Sequence, residues 1–135
     1  MTTTAARSPF DDLYGLQVGT VTATSVEAHM NVSENVRQPF GLVHGGVYAA
    51  VAESLATLGT IEGIGPNQIA LGLSNSTNFL RPVQSGQLRA LASVTHRGRT
   101  TCVWDVAVHD DAGHLCAVAR VTVAVRPRRP GDASA

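Results

Sequence analysis

Glu53 stands inside an apolar run, between Ala52 and Ser54, and its nearest carboxylate in sequence is Glu62. Ionised and buried, it would need donors or an opposite charge, because an unpaired buried charge is expensive. Within reach of a carbonyl, such a carboxylate is suited to act as a general base or as a nucleophile. An isolated helical glutamate is ordinarily the solvated spot of an amphipathic helix. Here Gly46, Ala49, Thr57 and Thr60 share its stripe, and their small size leaves room for a ligand or a second chain.

His44-Gly45-Gly46 lies where a loop meets that run. The first N–H groups of a helix have no partner within the helix, and the helix dipole is positive there. Two glycines allow close approach to the backbone. Together these features suit an oxyanion site for a carbonyl under attack; the plainer reading is a glycine-rich helix start, with His44 filling space. Gln38, six residues before His44, brings an amide that can donate to the same oxygen. Thr57, one turn after Glu53, can hold a water or steady the carboxylate.

Gly45 and Glu53 are eight residues apart, about 12 Å along a helix. Acting on one substrate, they must come from two chains with antiparallel helices. A two-fold dimer would then hold two identical composite sites.

The elements that must position these residues are visible in the pattern. From Gly45 to Thr60 the residue types favour a helix without proline, and Val47, Val51, Leu55 and Leu58 form a bulky stripe at helical spacing. Gly63 and Gly65-Pro66 end it. The Val- and Thr-rich stretch 19–32 reads as two short strands, 11–16 as one helical turn, and 35–40 as a loop. Four strands are expected after the helix, over 69–80, 87–95, 102–109 and 115–125, with short connections that favour antiparallel pairing. In the last of these, Leu115, Ala117, Ala119, Val121, Val123 and Val125 alternate onto one face. One helix against a long antiparallel sheet is an α+β fold.

The 135 residues argue for one domain, with residues 1–10 and 130–135 expected to be flexible. Charged residues make up 15% of the chain and the formal net charge is zero, so nothing global points to nucleic acid or an anionic membrane. No stretch is apolar enough for a signal peptide or a membrane span, which makes the cytoplasm the expected location. Cys102 and Cys116 read as reduced packing residues. His29, His96, His109 and His114 lack metal-ligand spacing. The dinucleotide, P-loop and serine-elbow motifs are absent, so neither metal nor cofactor is expected. Scattered arginines, Arg81, Arg99, Arg126, Arg128 and Arg129, stand near turns and in the tail.

The run Arg37-Gln38-Pro39-Phe40-Gly41-Leu42-Val43-His44-Gly45-Gly46, followed by Ala52-Glu53-Ser54-Leu55-Ala56-Thr57, resembles bacterial hotdog-fold acyl-CoA thioesterases. It is most similar to 4-hydroxybenzoyl-CoA thioesterases with a mid-helix glutamate. The likeness continues through Phe79-Leu80-Arg81-Pro82-Val83, Thr100-Thr101, Trp104-Asp105-Val106, Asp110-Asp111-Ala112-Gly113 and Leu115-Cys116-Ala117-Val118, and reaches Arg129. It implies a curved antiparallel sheet wrapped around one central helix, in dimers that pair into tetramers. It further implies hydrolysis of an acyl-CoA, with an aromatic acyl group of the 4-hydroxybenzoyl kind. Glu53 would be the catalytic carboxylate. The Gly45 N–H, helped by Gln38, would polarise the thioester carbonyl; His44 would support the loop and Thr57 would place the water. Arg81, Thr100 and Arg129 would contact CoA. Two rival activities for such a fold are hydration or dehydration of an acyl thioester and non-catalytic binding of acyl-CoA.

Overall fold

The computed structural model describes residues 8–133. Most of the expected flexible N-terminus and the last two residues lie outside the described residues. Ser8 and Pro9 start a helix, α1 (Pro9–Leu13), with Ser8 Oγ accepting from the Asp11 N–H at 3.4 Å. This is earlier than the turn expected over 11–16. A serine cap followed by proline at the first helical position accounts for the difference.

The order continues β1 (Gln17–Val21), β2 (Ser25–Asn31), a short 3-10 turn (Glu34–Val36), α2 (Gly45–Glu62), β3 (Gln68–Phe79), β4 (Gln87–Arg97), β5 (Thr101–His109) and β6 (Leu115–Pro127). All pairings are antiparallel, in the order β1-β2-β4-β5-β6-β3. The expected α+β arrangement, one sheet wrapped around one long helix, is what forms. Twelve-residue β3 is an edge strand, with Leu71 and Leu73 more than 45% exposed on it.

Helix α2 packs on the sheet through Tyr48, Val51, Ala52, Leu55, Ala56, Gly59 and Thr60. The stripe expected to be buried, Val47-Val51-Leu55-Leu58, is therefore off-centre, and Val47 and Leu58 are only half-buried. Small residues face the sheet because Trp104 of β5, fully buried, lies directly under them. A Cβ on Gly59 would stand 2.3 Å from Trp104 Cη2. The indole N–H donates to Thr60 Oγ1 at 2.9 Å, and that hydroxyl donates to the Ala56 carbonyl at 2.8 Å. Thr60 thus belongs to the core and not to the stripe of Glu53.

A bulge shifts the register between β5 and β6 at their hairpin end: Val108 pairs with Ala117, yet His109 pairs with Leu115. Cys116 is the extra residue. It turns inward, and Leu115, expected to face inward, is 39% exposed. Both cysteines are free and buried.

Candidate active site

Each predicted residue has a definite local reason for its place. The loop before α2 is held by the Arg37–Val43 bridge and by Gln38 N–H donating to the Leu42 carbonyl at 2.7 Å. Gly41, at φ 81°, closes the turn. The Phe40 N–H donates to Gln38 Oε1. Because a backbone N–H must meet the oxygen of the amide, the Gln38 amide nitrogen remains as a donor.

His44 is the N-cap of α2. Its Nδ1 accepts from the Gly46 N–H at 2.8 Å, which fixes that nitrogen as the unprotonated one. The His44 N–H donates to the Val36 carbonyl, and the Val47 N–H donates to the His44 carbonyl at 3.0 Å. Among the described residues, these bonds use every amide of the first turn except that of Gly45. One donor, at the positive end of an 18-residue helix, is left open to a ligand.

In the single chain, the protein's own side chains stand where a Cβ on either glycine would lie. A Cβ on Gly45 would stand 2.6 Å from Phe79 Cζ, and one on Gly46 would stand 3.0 Å from His44 Nδ1. The space that they leave is filled by the protein's own rings. Phe79, at the end of β3, is 60% exposed and also meets Tyr48, with ring centroids 6.1 Å apart. Sequence reasoning gave Phe79 no role. The available signal was a large apolar residue beside the Arg81-Pro82 turn.

Glu53 is exposed in the single chain, on the flank of α2 beside the edge strand β3, and has no hydrogen-bond or ion-pair partner among the described residues. Of the residues of α2, only Gly46, Glu53 and Glu62 are exposed in the single chain. The Glu53 side chain lies over the edge strand, since a Cβ on Gly72 would be 3.3 Å from Glu53 Cδ. Gly72 adjoins a bulge in β3, where the pairing with β6 jumps from Gly72 to Ser74. Thr57 is half-buried one turn on, with its hydroxyl unpaired among the described residues. Beyond it, an open cleft of about 780 Å³ runs between the end of α2 and the start of β3, lined by Ile61, Ile64, Ile69, Ala70, Leu71 and Arg128.

The predicted residues therefore form three separate groups in one chain. Gly45, Gln38, His44 and Arg81 gather near the end of β3, where Arg81 Nε is 3.9 Å from Asp110 Oδ2. Glu53 lies at the middle of α2 and Thr57 one turn beyond it. Thr100 and Arg129 stand at the opposite end of the sheet, where β3 and β5 begin and β6 ends. Both are exposed, and the Thr100 carbonyl accepts from Val125 N–H and Arg126 Nη1. Among the described residues, no group of histidine, cysteine, aspartate or glutamate has the arrangement to hold a metal ion.

Residues 40–117 match the model of the thioesterase superfamily. Over 115 residues the chain is 35% identical to the 1,4-dihydroxy-2-naphthoyl-CoA hydrolase of Listeria monocytogenes, covering 85% of this chain and 94% of that protein. It is also 35% identical over 100 residues to the proofreading thioesterase EntH of Cronobacter turicensis, covering 74% and 73% of the two chains. A crystal structure of a mutant thioesterase from Pseudomonas aeruginosa superposes with a TM-score of 0.84 at 36% identity, covering 87% of this chain and 86% of that one. A thioesterase structure from Haemophilus influenzae gives 0.85 at 31%, covering 92% and 87%. The chain belongs to the thioesterase superfamily and has the hotdog fold.

Proposed function

We propose that this protein hydrolyses an acyl-CoA thioester to the free acid and CoA, in a site shared by two protomers. The observation that carries the reading is the open Gly45 N–H at the start of α2 and Glu53 at the middle of the helix, beside the open edge of β3 and without a partner among the described residues. About 12 Å of helix separates them, too far for one carbonyl to use both in the same chain. A long edge strand is a template for pairing with another chain. If two copies of β3 pair antiparallel about a two-fold axis near their middles, the partner's Gly45 tip comes beside Glu53 and Thr57. The same operation brings the partner's Arg81 towards Thr100 and Arg129, three residues that one chain keeps apart. Further pairing of dimers into a tetramer, and a cytoplasmic location, belong to the same reading.

In this site the thioester oxygen accepts from the Gly45 N–H and the Gln38 amide, while His44 keeps the tip capped. Glu53 attacks the carbonyl carbon or takes a proton from the water that does. Thr57 holds that water. The negative charge that develops on oxygen is met by donors already in place. Arg81, Thr100 and Arg129 contact the CoA part, and an aromatic acyl group of the 4-hydroxybenzoyl kind is the preferred substrate. The Listeria relative, named for an aromatic acyl-CoA, supports that choice.

A thiol-release assay over a panel of aryl and aliphatic CoA esters tests the reading. Glu53→Ala should fold normally, since the side chain is exposed and unpartnered, and should lose most of its turnover. Near-normal turnover in that variant would remove Glu53 from the mechanism.

A further inference from the structure

Asn75 and Thr77 lie on β3 between Gly72, which underlies Glu53, and Phe79, which covers Gly45. Both are half-buried and face the helix. Asn75 Nδ2 donates to the Ala49 carbonyl at 2.8 Å, and Thr77 Oγ1 donates to Asn75 Oδ1 at 2.7 Å. A carbonyl only accepts, so the amide nitrogen must face Ala49, and the amide oxygen is left for the threonine hydroxyl. The relay therefore has one direction, from Thr77 through Asn75 to α2.

Its end point is the carbonyl one helical turn before Glu53. In an α-helix that carbonyl also accepts from the N–H of the residue four positions on, which here is Glu53. The turn that carries the carboxylate is thus tied to the edge strand by a side chain from that strand. The neighbouring β3 residues cannot replace the tie: Gly72 has no side chain, and the bulge beside it has already broken the regular pairing with β6. The other bonds made by α2 lie at the cap, at Ser54 and around Thr60. On the stripe facing β3, Asn75 makes the one side-chain hydrogen bond among the described residues.

Building on the thioesterase reading above, we propose that Asn75, oriented by Thr77, is a positioning residue that sets the place of Glu53 over the edge strand. Because β3 is also the strand that a second copy would pair with, the same contact ties the carboxylate to the subunit junction.

The test compares kcat and KM for CoA thioesters in Asn75→Ala, Asn75→Asp, Thr77→Val and Thr77→Ser, with Glu53→Gln as reference and the melting temperature and dimer content of each measured alongside. Asn75→Asp keeps the shape and removes the donor. Displacing a reacting group by about 1 Å can cost on the order of 10²-fold in rate. We expect kcat to fall at least about tenfold in Asn75→Ala and Asn75→Asp, with KM and dimer content little changed. Thr77→Val should follow them more weakly, and Thr77→Ser, which keeps the hydroxyl, should restore the rate. Unchanged kcat, or a loss of kcat that only tracks loss of dimer or of melting temperature, overturns the inference. If the unaltered protein releases no thiol, the thioesterase reading falls; if Glu53→Gln remains active, the role of Glu53 and with it the positioning role fall; if Glu53→Gln is dead and Asn75→Asp is fully active, only the positioning role does.

Discussion

Replacing Gly45 by proline deletes one N–H and little else, which makes it the sharpest probe of the helix tip. The backbone is ready for it. Gly45 is the first residue of α2, where the fixed φ of proline suits the helix and its missing donor has no partner within the helix. The residue before a proline must be extended, and His44 already sits at φ −65°, ψ 134°. The cap survives as well, because His44 Nδ1 takes the Gly46 N–H and not that of Gly45. The one steric cost is the ring tip of Phe79, 2.6 Å from the new Cβ position. That ring is 60% exposed and can swing away, at the expense of its contact with Tyr48. The expected change in stability is within about 1 kcal/mol. The expected change in rate is much larger. His44 Nδ1 and the His44 carbonyl use the neighbouring donors, so removal of Gly45 N–H removes the one backbone amide of the tip that has no partner among the described residues, and loss of one such donor costs about 10²–10³ in kcat, or about 2.7–4 kcal/mol. Steady-state thiol release on a CoA ester, with a melting curve on the same sample, reads both numbers. Phe79→Leu combined with Gly45→Pro separates the ring from the donor: relief of the clash should leave the rate defect in place. A Gly45→Pro enzyme that is fully folded and within a few-fold of the original rate would refute the assignment of this amide.

Gly59→Ala should destabilise the fold despite the better helix propensity of alanine, worth about 1 kcal/mol. Its Cβ would stand 2.3 and 2.5 Å from two atoms of a tryptophan that is fully buried and hydrogen-bonded to Thr60, and overpacking of this kind costs about 1–3 kcal/mol; an unchanged or raised melting temperature would contradict the packing described. Tyr48→Phe should leave stability at neutral pH unchanged or slightly higher, because the Tyr48 hydroxyl is buried without a partner. Burial, aided by the nearby Cys116 and Asp110, pushes that hydroxyl up from 10.0 to about 12. A group whose folded pKa is raised contributes stability that is complete below the unfolded value and is lost as pH rises through the folded one. Melting temperature should thus fall between about pH 10 and 12, and less steeply in Tyr48→Phe; Tyr14, also raised by burial and by its bond to Asp11, and Cys116, raised mainly by burial, contribute to the remaining slope. Equal slopes in the two proteins would rule the Tyr48 contribution out.

What the sequence disclosed and what it hid have physical causes. Local features came through: the helix start at 44–46, the helix that follows, and the alternation of β4 and β5 depend on neighbours a few residues apart. Glu53 was conspicuous because a carboxylate is rare within such an apolar run. Contacts distant in sequence were not legible. Thr60 was assigned to the open stripe because its partner, Trp104, is 44 residues away. Phe79 and Asn75 were missed for the same reason, since each acts on a helix residue 26 or more positions before it. The inward alternation of β6 failed only at Leu115, where one bulged residue reverses the facing of everything beyond it, and bulges leave little trace in composition. The bulky helix stripe was off-centre because the sheet offers Trp104, and a large ring below asks for small residues above.

Mixing two inactive variants asks most directly whether the site is shared. Glu53→Gln protomers keep the tip and lack the carboxylate; Gly45→Pro protomers keep the carboxylate and lack the donor. Random reassociation makes about half of the dimers mixed, each with one intact site of two, so about one quarter of the original activity should return. Recovery of that size, rising and falling with the fraction of mixed dimer, is the predicted result. No recovery, in a sample where mixed dimers are shown to form, would mean that the carboxylate and the amide do not meet across the subunit junction.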